Sequence, residues 1–166
     1  MKIAVNAGHT IKGKGTGAVG YLNESEETRK IANEVMKLLS TNHKIVDATV
    51  DRSYNYLYDV AKLVNESNAE LFISIHLNAG KGTGCEVYTW NGEKHKYATG
   101  ICEELSKLGF KNRGVKDGSG FYVIRKTKMT AMIIEVCFVD LLKDVELYKK
   151  VGVKKIAEAI VKGLLR

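Results

Sequence analysis

The segment ELFISIHL, residues 70–77, decides the fold class because its apolar residues fall on both of its alternating faces. A strand with one buried face alternates apolar and polar residues, whereas this segment offers apolar side chains to both faces. Strands of that kind lie inside a sheet that helices cover on both sides. Residues 70–77 therefore predict an interior strand of a layered α/β structure.

Strands and helices alternate on the N-terminal side of this segment. Short β-branched stretches at 2–7 and 43–49 predict strands. Between and after them, the stretches 23–40 and 54–68 repeat apolar residues at the spacing of a helix with one buried face. This alternation is typical of an α/β domain.

The C-terminal side continues the pattern. Strands are predicted at 85–90, around 121–125 (FYVIR) and at 131–139, with a helix at 95–109 and two closing helices. The sequence thus predicts a single layered α/β domain over residues 1–166. Its sheet is expected to be twisted and mostly parallel, with about six strands and with helices on both faces.

The composition limits the classes of protein that remain. A chain of 166 residues with 45% hydrophobic residues can bury one core, and no apolar run approaches the ~20 residues of a membrane helix. The N-terminus has no secretory signal pattern, so we expect synthesis in the cytoplasm. Three cysteines without metal-binding spacing indicate small core residues, and the net charge of +7 favours an anionic partner.

Three polar residues follow or interrupt the predicted strands and helices where a site could form. His9 comes after the first strand, His76 ends the strand 70–77, and Glu24 opens the first helix on its sheet-facing side. Two imidazoles and one carboxylate form a known catalytic zinc set that leaves the fourth position for water. Glu27 shares the inner helix face and is an alternative to Glu24.

A carboxylate also stands at the centre of AMIIEVCFV, residues 131–139. An ionised carboxylate taken out of water without a partner costs several kcal/mol or more, so Glu135 requires an explanation. Beside a divalent cation such a carboxylate can accept a proton from water and deliver it to a leaving group. Glu135 is therefore the candidate general acid/base of an amide hydrolysis. The two other histidines, His43 and His95, are predicted on the surface.

Two other classes of function have partial support. GHTIKGKG, residues 8–15, matches the start of a phosphate-binding loop, but Gly15 stands where Ser or Thr should ligate magnesium, and no helix begins there. The basic segments FKNRGVK and VIRKTK, with aromatic residues nearby, could bind a nucleic-acid strand or lie on a solvated face.

Several segments together resemble the zinc-dependent N-acetylmuramoyl-L-alanine amidases of phage endolysins and bacterial autolysins. NAGH resembles the first ligand motif, GYLNE the segment with the ligand glutamate, and LFISIHLNA the second histidine motif. NRGVK, FYVIRKTKM and IIEVCFV resemble the segments that lead to the catalytic glutamate. This chain has Asn6 and Ala7 where the family often has Asp and Pro, and Cys137 where glycine is usual.

The resemblance implies one Zn²⁺ ion held by His9, Glu24 and His76, with Glu135 as the catalytic acid/base. It favours Glu24 over Glu27. The implied reaction is hydrolysis of the amide between the lactyl group of N-acetylmuramic acid and L-alanine of the peptidoglycan stem peptide. We expect a monomer without a nucleic-acid partner that acts on the anionic cell wall after phage lysis or another route of export.

Overall fold

Six strands form one sheet in the computed structural model, which describes all 166 residues. The strands are β1 (Lys2–Ala7), β2 (Lys44–Asp47), β3 (Leu71–Asn78), β4 (Cys85–Thr89), β5 (Asn112–Asp117) and β6 (Thr130–Phe138). They are ordered β2-β1-β3-β6-β4-β5, and every neighbouring pair is parallel except β6 and β4. The predicted six-stranded, mostly parallel sheet is confirmed.

Helices cover both faces of this sheet, as predicted. They are α1 (Glu24–Leu39), α2 (Tyr56–Glu66), α3 (Lys96–Lys107), α4 (Tyr122–Lys126), α5 (Leu142–Val151) and α6 (Val153–Leu164). α1, α3 and α6 pack together on one face, and α2 and α4 pack on the other. None of these helices combines the length and the apolar character needed to cross a bilayer.

The central strand β3 contributes side chains to two hydrophobic cores of unequal size. Ile73 and Ile75 enter the larger core beneath α1, α3 and α6, whereas Phe72 enters the smaller core beneath α2 and α4. Because α2 has 11 residues and α4 only five, they leave the carboxyl ends of the strands on their face uncovered. Ser74 and His76 follow Phe72 on this face and line a cleft there.

The segment FYVIR was wrongly predicted to be a strand. Residues 122–126 form the short helix α4, and the missing strand is β5, residues 112–117. Five residues are too few to show a helical period, and their β-branched side chains favoured a strand. β5 pairs only with β4, so this edge strand needs few apolar residues, and its sequence NRGVKD lacks the signal of an interior strand.

The three cysteines are buried and unpaired, which confirms their interpretation as core residues. Burial raises the pKa of the Cys85 thiol to about 12 and that of Cys102 to about 11. Thiols with such pKa values stay protonated at neutral pH and are poor nucleophiles.

Charged side chains join α3 to α6 at the end of the chain. The Glu104 side chain is almost fully buried and accepts from Lys107 at 2.7 Å and from Lys162 at 3.1 Å, and it also pairs with Arg166. The hydrogen bond from Lys107 is the largest influence on the Glu104 carboxyl. Together with the other two cations it outweighs the effect of burial and lowers the pKa to about 2.

Glu104→Gln should make the free energy of unfolding depend less on pH in the acid range. The folded-state pKa of about 2 lies below the usual 4.5, so this carboxylate stabilises the fold fully above pH 4.5 and progressively less as pH falls toward 2. Urea unfolding between pH 7 and pH 2.5 measures the effect. Glu158→Gln, on the exposed side of α6, is the control. The prediction would be contradicted if the free energy of unfolding fell equally between pH 7 and pH 2.5 in the wild type and in Glu104→Gln.

Candidate metal centre and cleft

Three side chains from separate elements converge at the carboxyl edge of the sheet. Glu24 Oε1 lies 3.1 Å from His9 Nε2 and 3.2 Å from His76 Nδ1. One potential ligand atom from each residue lies within 4.8 Å of the other two. His9 follows β1, Glu24 begins α1, and His76 lies near the end of β3. The structure thus brings together the three residues that the sequence had grouped.

The Glu24 carboxylate is held by backbone donors from both sides. Its Oε2 accepts from the Ala18 N–H at 2.8 Å, and its Oε1 accepts from the Leu77 N–H at 3.1 Å. Burial raises the pKa of Glu24, but hydrogen bonds and charge from His76 and His9 outweigh it and lower the pKa to about 2. Glu24 is therefore ionised at neutral pH, the form in which a carboxylate binds metal.

A chain of hydrogen bonds sets the tautomer of His76. The Asn6 amide donates through Nδ2 to the Ala48 carbonyl at 3.0 Å, so its Oδ1 accepts from the Ser74 hydroxyl at 2.7 Å. The Ser74 oxygen is left to accept from His76 Nε2, 3.0 Å away. His76 Nδ1 consequently carries a lone pair and faces Glu24. Burial lowers the pKa of His76, which also favours the neutral ring.

His9 is oriented in the same way by the loop after β1. Its Nδ1 lies 3.1 Å from the Gly15 carbonyl, which can only accept, so Nδ1 is the protonated nitrogen and Nε2 faces Glu24 with a lone pair. The His9 backbone has a φ of 66°, which is uncommon for a residue with a side chain. Arg29 of α1 donates to the His9 carbonyl at 3.0 Å and holds this conformation.

The donor set fits a divalent metal. With the rings neutral and in these tautomers, the atoms of His9, Glu24 and His76 that face one another are all acceptors, which is the form in which they ligate a cation. The rival carboxylate is engaged elsewhere, because Glu27 accepts from Tyr148 at 2.8 Å and from Lys30 at 2.7 Å. The other two histidines are half-buried rather than exposed and take no part in this group.

Glu135 lies beside this group on the uncovered face of the sheet. It is the register partner of His76 on the neighbouring strand β6. Its Oε2 is enclosed and has no hydrogen-bond partner. Burial, followed by the charges of Glu24 and Glu86, raises the pKa of Glu135 well above its usual value. With His9 and His76 it lines a cleft of about 230 Å³ that an approaching substrate could enter.

A second polar cluster on this face was missed by the sequence analysis. The buried Glu86 carboxylate accepts from Asn78 and Tyr88 at 2.8 Å each and from Arg113 at 2.7 Å. The alternation of Glu86 and Tyr88 in CEVYTW could have indicated that both side chains point to one face. Their partner Arg113 lies on β5, the strand that the sequence analysis did not identify.

The loop that resembles a phosphate-binding motif does not lead into a helix. α1 begins at Glu24, nine residues after Gly15, so no helix N-terminus is aimed at the loop where phosphate would lie. The tight turns of this loop instead carry the Gly15 carbonyl to His9 and the Ala18 N–H to Glu24.

Comparison with known proteins gives consistent matches over almost the whole chain. The family model described as N-acetylmuramoyl-L-alanine amidase matches residues 3–166. An uncharacterised protein of Clostridium perfringens is 39% identical over 96% of this chain and 51% of its own length. The N-acetylmuramoyl-L-alanine amidase CwlM of Bacillus licheniformis is 32% identical over 100% of this chain and 68% of its own length.

Solved structures give the same result. The catalytic domain of the CD27L endolysin targeting Clostridia difficile superimposes with a TM-score of 0.90 at 32% identity, covering 99% of this chain and 97% of that domain. The chain spans about half the length of the two Clostridium perfringens relatives that it matches.

Gly8→Ala should weaken metal binding without unfolding the protein. A Cβ at Gly8 would lie 2.3–2.5 Å from three ring atoms of His76, so the imidazole must turn away from Glu24. We expect a loss of affinity of about 10–100-fold, as for other changes that disorient a ligand. Competition with a chromophoric chelator, using Zn²⁺ as the probe ion, measures it.

Two further variants set the upper and lower limits of the measured zinc affinity. Gly120→Ala is the matched control, because a Cβ there meets nothing within 4 Å. His76→Ala removes the imidazole altogether and sets the lower limit of affinity. Wild-type affinity in Gly8→Ala would show that His76 does not ligate the ion from its observed position.

Proposed function

The chain belongs to the N-acetylmuramoyl-L-alanine amidase family, and on that premise we propose that residues 1–166 form the catalytic domain of a zinc-dependent peptidoglycan hydrolase. It hydrolyses the amide between the lactyl group of N-acetylmuramic acid and L-alanine of the stem peptide. The observation that carries the proposal is the convergence of three acceptor atoms beside the unpartnered carboxyl oxygen of Glu135.

His9, Glu24 and His76 are the proposed ligands of one Zn²⁺ ion. Three protein ligands of the His₂Glu type, with one position left open, are typical of catalytic rather than structural zinc sites. When bound there, zinc supplies a Lewis acid for the scissile carbonyl and for water, and its charge favours the ionised form of Glu135. The open face of the sheet gives the substrate access to this position.

Glu135 is the proposed general acid/base. It is the register partner of His76, so it would lie beside water activated by a metal ion held at this site. It accepts a proton as water attacks the lactyl carbonyl and delivers that proton to the nitrogen of the departing L-alanine. Its enclosed environment raises the pKa of Glu135, which favours acceptance of the proton from water.

The surroundings of the site fit a cell-wall substrate. A net charge of +7 attracts anionic wall polymers and accelerates encounter with them. The similarity to an endolysin catalytic domain supports action on the wall after phage lysis or another route of export from the cytoplasm. The protein is proposed to act as a monomer without nucleic acid.

Purified peptidoglycan provides the direct test. We expect new free amino termini of alanine and no new reducing sugar ends, because an amide and not a glycosidic bond is broken. A chelator should abolish the reaction and Zn²⁺ should restore it. New reducing ends, or release of alanine termini that is insensitive to chelation, would contradict the proposed reaction or its metal dependence.

Glu135→Gln should abolish most of the hydrolysis while zinc is retained. Loss of a general acid/base lowers the rate about 10²–10⁴-fold, whereas the three proposed metal ligands are unchanged. Alanine release per minute and zinc stoichiometry measure the two effects in the same samples. Glu146→Gln, an exposed change on α5, should leave both unchanged. Loss of zinc from Glu135→Gln would instead identify Glu135 as a ligand.

A further inference from the structure

Arg113 presents two free donors at the edge of the cleft face. Its Nε donates to Glu86 Oε2 at 2.7 Å, but its Nη1 and Nη2 have no hydrogen-bond partner in the protein. The side chain is 31% exposed, and its Cζ lies 5.2 Å from the centre of the Phe138 ring. A guanidinium held at one nitrogen with its outer pair free is suited to bind a carboxylate through two parallel hydrogen bonds.

Glu86 fixes this guanidinium in place. Its side chain is buried, and besides Arg113 it accepts from Asn78 and Tyr88. Tyr88 packs edge-on against Phe121 at 4.9 Å, so the whole cluster is anchored to the wall of the cleft. A buried carboxylate with three donors is fully satisfied, and the free donors of Arg113 are available for an external group.

The cluster stands beside the proposed catalytic residue. Glu86 on β4 is the register partner of Glu135 on β6, and neighbouring strands lie about 4.8 Å apart. Arg113 extends from β5, the next strand beyond β4, and its guanidinium contacts Glu86, the residue directly across from Glu135. An extended peptide advances about 3.4 Å per residue. Two residues and a side chain therefore span about the two strand spacings between β6 and β5, so a group on the second residue beyond the scissile amide can reach Arg113.

The lining of the cleft itself differs from the Arg113 cluster. It is formed largely by uncharged aromatic and aliphatic side chains, including Tyr56, Leu57 and Tyr122. In an intact substrate the lactyl carboxyl group of the sugar is consumed in the scissile amide, so free carboxylates occur only on the peptide. The sugar consequently suits the aromatic lining of the cleft, and the peptide suits the neighbouring cluster that contains Arg113.

We propose that Arg113 is a specificity-determining residue that binds, through Nη1 and Nη2, a free carboxylate on the second residue of the stem peptide. Glu86 is the positioning residue that holds the guanidinium. This inference rests on the proposed amidase function and adds to it a preference for an acidic over an amidated stem peptide.

Two synthetic substrates test the preference. One is an N-acetylmuramoyl-L-alanyl peptide with a free carboxylate on its second residue, and the other carries a carboxamide there. The wild type should favour the acid by about 10–100-fold in kcat/KM, the range for a hydrogen bond between charged groups. Arg113→Gln should bring this ratio close to one, and Glu86→Gln should reduce it while the guanidinium charge is kept.

Lys155→Gln is the matched control, since it removes one positive charge from α6 on the far face of the sheet. It should retain the wild-type ratio. Should Arg113→Gln fail to fold, Arg113→Lys keeps a charge opposite Glu86 but lacks the forked geometry. In Arg113→Lys the ratio of kcat/KM for the acidic over the amidated substrate should fall at least about threefold. A wild-type ratio near one, or an unchanged ratio in the Arg113 variants, would overturn the inference.

Binding of the two released peptides to chelator-treated protein separates this inference from the proposed function. Calorimetry should show tighter binding of the acidic peptide to the wild type and no preference in Arg113→Gln. A protein that hydrolyses neither substrate yet keeps this difference would refute the amidase proposal alone. Hydrolysis of both substrates without any difference in binding would refute the role of Arg113 alone.

Discussion

Two imidazole nitrogens and one carboxylate oxygen meet at Glu24, and the loop between β1 and α1 holds them there together with β3. The Glu24 carboxylate accepts hydrogen bonds from backbone N–H groups of the loop before α1 and of β3. Each imidazole is turned by an acceptor on its far nitrogen, the Gly15 carbonyl for His9 and the Ser74 hydroxyl for His76. Ligand atoms that are oriented by partners outside the group are typical of a metal site.

The unequal covering of the sheet leaves this site open on one side. One face is closed by α1, α3 and α6 over the larger core, which makes the strands rigid supports. The other face is only partly covered by α2 and α4, so polar side chains of adjacent strands meet in an open cleft. The reversal of β4 relative to β6 sets Glu86 directly across from Glu135. Two acidic groups become neighbours, and Arg113 balances the one that is not proposed to react.

Much of this arrangement can be predicted from the sequence, and the parts that cannot have physical reasons. The segment 70–77 indicates an interior strand because its apolar residues fall on both alternating faces, and the polar His76 stands out near its end. The strand β5 gives no such signal because it lies at an edge, and α4 is too short for its period to register. The partners of the site, Asn6 and Ser74, are small polar residues whose roles depend on contacts between strands distant in the chain.

The order of the strands also constrains how the chain can fold as it is synthesised. β6 lies between β3 and β4, although it is the last strand to be made. Until residues 130–138 emerge, β2-β1-β3 and β4-β5 are separate fragments, and the apolar strand β3 is an unpaired edge. Such edges template association between chains, and pairings between distant segments form slowly. We therefore expect nascent chains of this protein to be prone to association until the strand carrying Glu135 joins the two fragments.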